Sequence, residues 1–141
     1  MSLVLAIDAG TVGTASLVVA DEHTAPRVGS GQIHVLATPV MINLFEAAAL
    51  AACEHLLPAG HQSLGTHLDV SHIAATPVGM RATATAEVLA VEGRTIKFGL
   101  QAKLDSASLD SQHFCRSGSA HANRGRRDMR NVEVGTETLM A

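Results

Sequence analysis

Apolar residues change their period several times along this chain, and each change marks an element. Residues 14–20 hold Leu17, Val18 and Val19 in a short run of strand type. Residues 22–32, rich in Gly, Pro, Ser and His, have the composition of a loop. From Thr38 to about Leu57 the spacing turns helical: Val40, Met41, Ile42, Leu44, Phe45, Leu50, Cys53, Leu56 and Leu57 are interleaved with alanines. Such a helix is apolar on most faces and is expected to be buried on most of them. Asn43, Glu46, Leu50 and Glu54 recur at three- or four-residue spacing and form one stripe. Pro58-Ala59-Gly60 then ends the helix.

Beyond it the period falls to two. In residues 68–74 one parity is Leu68, Val70, His72 and Ala74, which predicts a strand with His72 on the core side. Pro77-Val78-Gly79 turns the chain. Ala82, Ala84, Ala86, Val88 and Ala90 then alternate with Arg81, Thr83, Thr85 and Glu87. A hairpin at Glu92-Gly93 leads into Ile96, Phe98, Leu100, Ala102 and Leu104. The inward alanines leave room for something as bulky as a helix. The pattern predicts an α+β domain, an antiparallel sheet wrapped around one long central helix. Residues 1–141 form one domain in this reading, with a core over about 14–104 and a divergent part from about 105. One weak strand is expected near 111–116, and the arginines at 124, 126, 127 and 130 read as a solvated tail.

Composition narrows the partners. A length of 141 residues suffices for a core without disulfides or metals, and a hydrophobic share of 47% against 16% charged argues for a globular chain. With a net charge of -3, no Trp, no Tyr and three Phe, there is neither a basic footprint nor a stacking platform for nucleic acid. Cys53 and Cys115 are too few for a disulfide framework and fit a reducing, cytoplasmic setting. The apolar stretch 3–7 is too short for a signal segment, and no membrane association is expected. The histidines lack short ligand spacing backed by carboxylates, so neither a metal nor a cofactor is expected. Asp8-Ala9-Gly10-Thr11 resembles a phosphate loop of sugar kinases, but the chain has no room for their two lobes.

The candidate chemistry lies in Thr38, Glu46 and His72, a hydroxyl, a carboxylate and an imidazole on two elements read as buried. An unpartnered polar group in such a place costs ~1–3 kcal/mol, so each must be bonded or functional. Residue by residue, two readings stand open. Thr38-Pro39 is an ordinary N-cap and first-turn pair, with the hydroxyl serving the helix. Glu46 fits a solvated stripe, and His72 fits a satisfied core histidine.

Ala37-Thr38, Glu46, Ser63-Leu64-Gly65-Thr66, residues 72–77 and Val91-Glu92-Gly93-Arg94 occur in an order and spacing that resemble the hot dog thioesterases related to the fluoroacetyl-CoA-specific thioesterase. The resemblance covers about residues 14–104. It implies a hot dog fold and an acyl-CoA thioesterase acting on a small or medium acyl group, with Thr38, Glu46 and His72 catalytic and the backbone of Gly65 beside the thioester. The amides of Val40, Met41 and Gly65 are then candidate donors to the developing oxyanion. The selective relative carries an aromatic lid ahead of its helix, whereas residues 29–36 hold no Phe, so fluoroacetyl selectivity is not implied. Gly118, His121 and Arg124 stand out of register with the family's last strand, and no role is carried to them. A homodimer is expected, because a single curved sheet leaves an edge strand to cover. The alternative is a noncatalytic acyl-CoA-binding hot dog protein; hydratases of this fold are disfavoured by the lack of their Asp/His motif.

Overall fold

The computed structural model describes residues 5–70, 72, 75–106 and 132–140. Five strands, β1 (Val12–Val18), β2 (His61–Asp69), β3 (Met80–Glu92), β4 (Thr95–Ser106) and β5 (Val132–Met140), form one antiparallel sheet in the order β1-β3-β4-β5-β2. A four-residue helix, α1 (Ala25–Val28), precedes the long α2 (Thr38–Cys53), which tightens into a 3-10 turn at Glu54–Leu56. The expected sheet around a helix is present.

Alanines decide how closely the sheet takes α2. Ala82, Ala84 and Ala86 of β3 and Ala102 of β4 are fully buried beneath it, as are Ala48 and Ala52 of the helix. On β1 the approach is closer still: a Cβ placed on Gly13 would lie 2.3 Å from both Ala48 O and Ala52 N. Only glycine fits there. Phe45, Met41, Ile96 and Phe98 fill the remaining core and are fully buried, each such large side chain contributing ~1.5–3 kcal/mol.

The helix differs from its sequence reading in what it leaves uncovered. Met41, Leu44, Phe45, Ala48, Ala49, Ala52 and Cys53 make one buried stripe, whereas Glu46, Ala47, Leu50 and Ala51 are exposed. The cause is lateral position: α2 lies over β1 and β3, and the β5-β2 side of the sheet is largely free of it.

β2 also departs from expectation. It spans His61–Asp69 rather than 68–74, so His72 lies beyond the strand and is only half-buried, not on an inward strand row. A bulge accounts for the misreading. The pairing with β5 shifts between Gly65 and His67, which leaves Thr66 as an extra residue. Ser63 and Leu68 both turn inward although they stand five positions apart, an odd step, the former to Glu54 and the latter onto the core. β5 was not foreseen, although Val132, Val134, Thr136 and Thr138 alternate with Glu133, Gly135 and Glu137. The strand expected near 111–116, Cys115 and the arginine-rich tail lie outside the described residues.

The hairpin of β3 and β4 turns at Gly93-Arg94, with Gly93 at φ 60° and Glu92 opposite Thr95. Asp8 to Thr11 is a structural turn: Gly10 N donates to Val88 O at 2.8 Å, and Thr11 Oγ1 donates to Asp8 O at 2.7 Å. The amides of Gly10 and Thr11 are engaged by the fold rather than presented to a phosphate. Among the described residues no helix is long and apolar enough to cross a membrane.

Candidate functional site

Thr38 is the first residue of α2, and Ala37, with extended backbone, is the N-cap. The hydroxyl therefore does not cap the helix. Instead Thr38 Oγ1 lies 2.8 Å from His72 Nδ1, the imidazole tautomer deciding which group donates. The capping reading of Thr38 and the core-histidine reading of His72 both give way to a threonine–histidine pair at a helix start. The amides of Val40 and Met41 are not open donors, since both bond Ala37 O at 3.1 Å.

This pair opens on a cleft of about 320 Å³ whose walls include Ile33, Leu36 and Ala75. The facing wall is a loop that the fold ties at several points. Ala25 N bonds Val35 O, Leu36 N bonds Thr76 O, and Ala37 N bonds His23 O. The Asp21 carboxylate accepts from Arg27 Nε at 2.8 Å and lies 2.7 Å from His34 Nε2, joining α1 to the cleft wall. These bonds, that of His34 foremost, hold the exposed Asp21 carboxyl below the usual carboxylate range. Sequence reading missed this cluster; a carboxylate and two cationic residues scattered over a loop leave no periodic trace.

Glu46 sits elsewhere. Eight residues along α2 from Thr38, about 12 Å at the helical rise, it faces β2. A Cβ placed on Gly65 would lie 3.3 Å from Glu46 Oε1, so the glycine backbone and the carboxylate are neighbours. Together with Leu50 and Cys53 they line a second, smaller groove of about 170 Å³. At its far end Ser63 Oγ donates to Glu54 Oε2 at 2.5 Å. Burial pushes the Cys53 thiol up to about 11, a hydrogen bond with Ser63 opposing the shift and the Glu54 charge adding to it. Thus Thr38 and His72 meet in one cleft and Glu46 and Gly65 in another. Cys53 and Ser63 beside Glu46 were not read as site residues; the seven-residue step from Glu46 to Cys53, two helical turns, was the available signal. Among the described residues no group of three or more His, Cys, Asp or Glu could hold a metal.

Comparison with known proteins gives this geometry a context. Residues 19–111 match the family of the fluoroacetyl-CoA-specific thioesterase. A fluoroacetyl-CoA thioesterase of Streptantibioticus cattleyicolor is 44% identical over 68 residues, which are 48% of this chain and 49% of that protein. The matched region thus spans about half the length of this curated relative. A structure of a fluoroacetyl-CoA thioesterase variant in complex with acetyl-CoA superimposes with a TM-score of 0.71 at 25% identity, covering 95% of this chain and 90% of the other. A hot-dog-like protein from Thermanaerovibrio acidaminovorans superimposes at 0.72 with 17% identity, covering 96% and 85%, which speaks for the fold alone. The sheet wrapped around α2 is a hot dog fold. Since the family match takes in both clefts and well over half of the sequence, the chain belongs to the fluoroacetyl-CoA-specific thioesterase family.

Proposed function

We propose that this protein hydrolyses the thioester of a small or medium acyl-CoA, using Thr38, Glu46, His72 and the backbone of Gly65. The observation that carries the reading is the 2.8 Å contact between Thr38 Oγ1 and His72 Nδ1 at the start of the central helix in a member of this family. Hydrolysis adds the oxygen of water to the carbonyl carbon and releases CoA as a thiolate, a leaving group acidic enough to need little protonation. A carboxylate and an imidazole suffice for the remaining proton transfers. Glu46 acts as base or direct nucleophile, His72 exchanges protons, and Thr38 orients one of them or the substrate.

The separation of the two clefts favours a homodimer in which the Thr38–His72 pair of one chain faces Glu46 and Gly65 of the partner. Two features support it. Among the described residues β2 is a sheet edge paired on one side only, and the exposed face of α2 beside it carries Ala47, Leu50 and Ala51. A reducing cytoplasmic setting fits the buried free thiol of Cys53.

Free-thiol release from acyl-CoAs running from acetyl to long chain, corrected for the protein's own Cys53 and Cys115, tests the activity. Binding without turnover would favour the noncatalytic reading. The shared site has its own test. Glu46→Gln and His72→Ala proteins, each nearly inactive, are unfolded and refolded together. Random pairing then restores one intact site in mixed dimers, about a quarter of wild-type activity when the two variants are mixed in equal amounts. No recovery, with mixed dimers verified, would show that one chain supplies both groups.

A further inference from the structure

The groove beside Glu46 runs along α2 past Ala49 and Leu50 to Cys53, with Gly65, Leu64 and Ser63 on the β2 side. Its character changes along its length. It begins at a carboxylate, but beyond that its walls are methyl groups and a neutral thiol, and the one hydroxyl there, that of Ser63, is given to Glu54. A polar occupant would lose its water without gaining a partner, whereas an alkyl chain gains from leaving water. Volume sets the length. At about 170 Å³ the groove is close to the ~150 Å³ cavity that accommodates benzene, so it has room for about six carbon atoms.

We propose that this groove receives the acyl chain of the substrate, a linear alkyl chain of about six carbons, with Leu50 as its side wall and Cys53 at the end away from Glu46. The proposal rests on the thioesterase reading and names the substrate class for it: the carbonyl lies at Glu46 and Gly65, and the chain runs toward the C-terminal end of α2. Leu50 becomes the residue that sets chain length.

Two measurements made side by side separate this proposal from the activity it rests on. One is kcat/KM for thiol release from acetyl- through dodecanoyl-CoA; the other is calorimetric binding of the matching S-alkyl-CoA thioethers, which cannot be hydrolysed. Both are expected to peak near six carbons. Leu50→Trp, which fills the groove, should lower the hexanoyl-to-acetyl ratio by about tenfold or more, since each excluded methylene is worth about fourfold. Leu50→Ala should move the optimum to longer chains, and it keeps the test valid if the tryptophan variant does not fold. Thioether binding that peaks at hexyl and responds to Leu50, without any thiol release, would uphold the groove and overturn the hydrolytic reading. A chain-length profile indifferent to both substitutions would overturn the groove even if thiol is released, and a shift in sedimentation alone would assign Leu50 to the subunit contact instead. Neither release nor binding would overturn both.

Discussion

The two sides of α2 are built on opposite terms. Toward β1 and β3 the helix backbone rests on glycine and alanine with no space for one methyl group. Toward β2 it stands off, touching through the tips of Glu46 and Glu54 and leaving a groove between them. Close packing on one side fixes the helix, and the fixed helix can then present polar groups on the other without loss of order. Stability is thus assigned to one face of the helix and the proposed chemistry to the other, and substitutions should separate them.

The largest effect is expected from Gly13→Ala. A methyl group there meets helix backbone, which cannot rotate aside, so the cost should reach ~3 kcal/mol or more, read as a fall in the thermal or denaturant midpoint. Glu46→Gln tests the other side. It keeps shape but removes charge and basicity, and should lower kcat by ~100-fold with an unchanged unfolding midpoint. His72→Ala should match it, and the double variant should be little worse than the worse single one, because members of one catalytic unit do not act additively. Loss of stability rather than rate in Glu46→Gln would erase the distinction between the two sides.

Thr38 sharpens the contrast within the site. Since its hydroxyl meets His72 rather than the helix backbone, Thr38→Ala should lower turnover by ~10-fold or more at little cost in stability, and Thr38→Ser should restore most of it. A stability loss of ~1 kcal/mol with intact turnover would return Thr38 to a capping role. The smallest effect belongs to Asp21. Its carboxyl is held below the usual carboxylate range in the folded state, first by the His34 hydrogen bond, so its contribution is present above that range and is lost as pH falls through the lowered titration. Asp21→Asn should flatten that acid limb of the stability curve and raise KM a few-fold by loosening the wall of the Thr38–His72 cleft.

What the sequence revealed follows the same division. β3 and β4 were legible because their inward rows are unbroken, Ala82 to Val88 and Ile96 to Leu104, and the helix was legible from its apolar run and its Pro58-Ala59-Gly60 stop. β2 was displaced because its inward positions, Ser63 and Gly65, are not apolar and Thr66 breaks the alternation. β5 escaped because a long polar stretch separates it from the recognisable strands. The pairing of Thr38 with His72 and of Glu46 with Gly65 depends on distances across the fold, which no spacing along the chain encodes. The residue types came from resemblance, and their division between two clefts came from geometry.

The bulge at Thr66 acts on β2 as an inserted letter acts on a reading frame. Every residue before it is phased to one set of neighbours and every residue after it to another, so Ser63 and Gly65 can face α2 while Leu68 still faces the core. Deleting Thr66 would put the two halves in a single frame, and one must then turn outward: either Leu68 leaves the interior or Gly65 leaves Glu46. A single inserted residue thereby lets the Glu46-facing half of this strand be edited without rewriting its buried one.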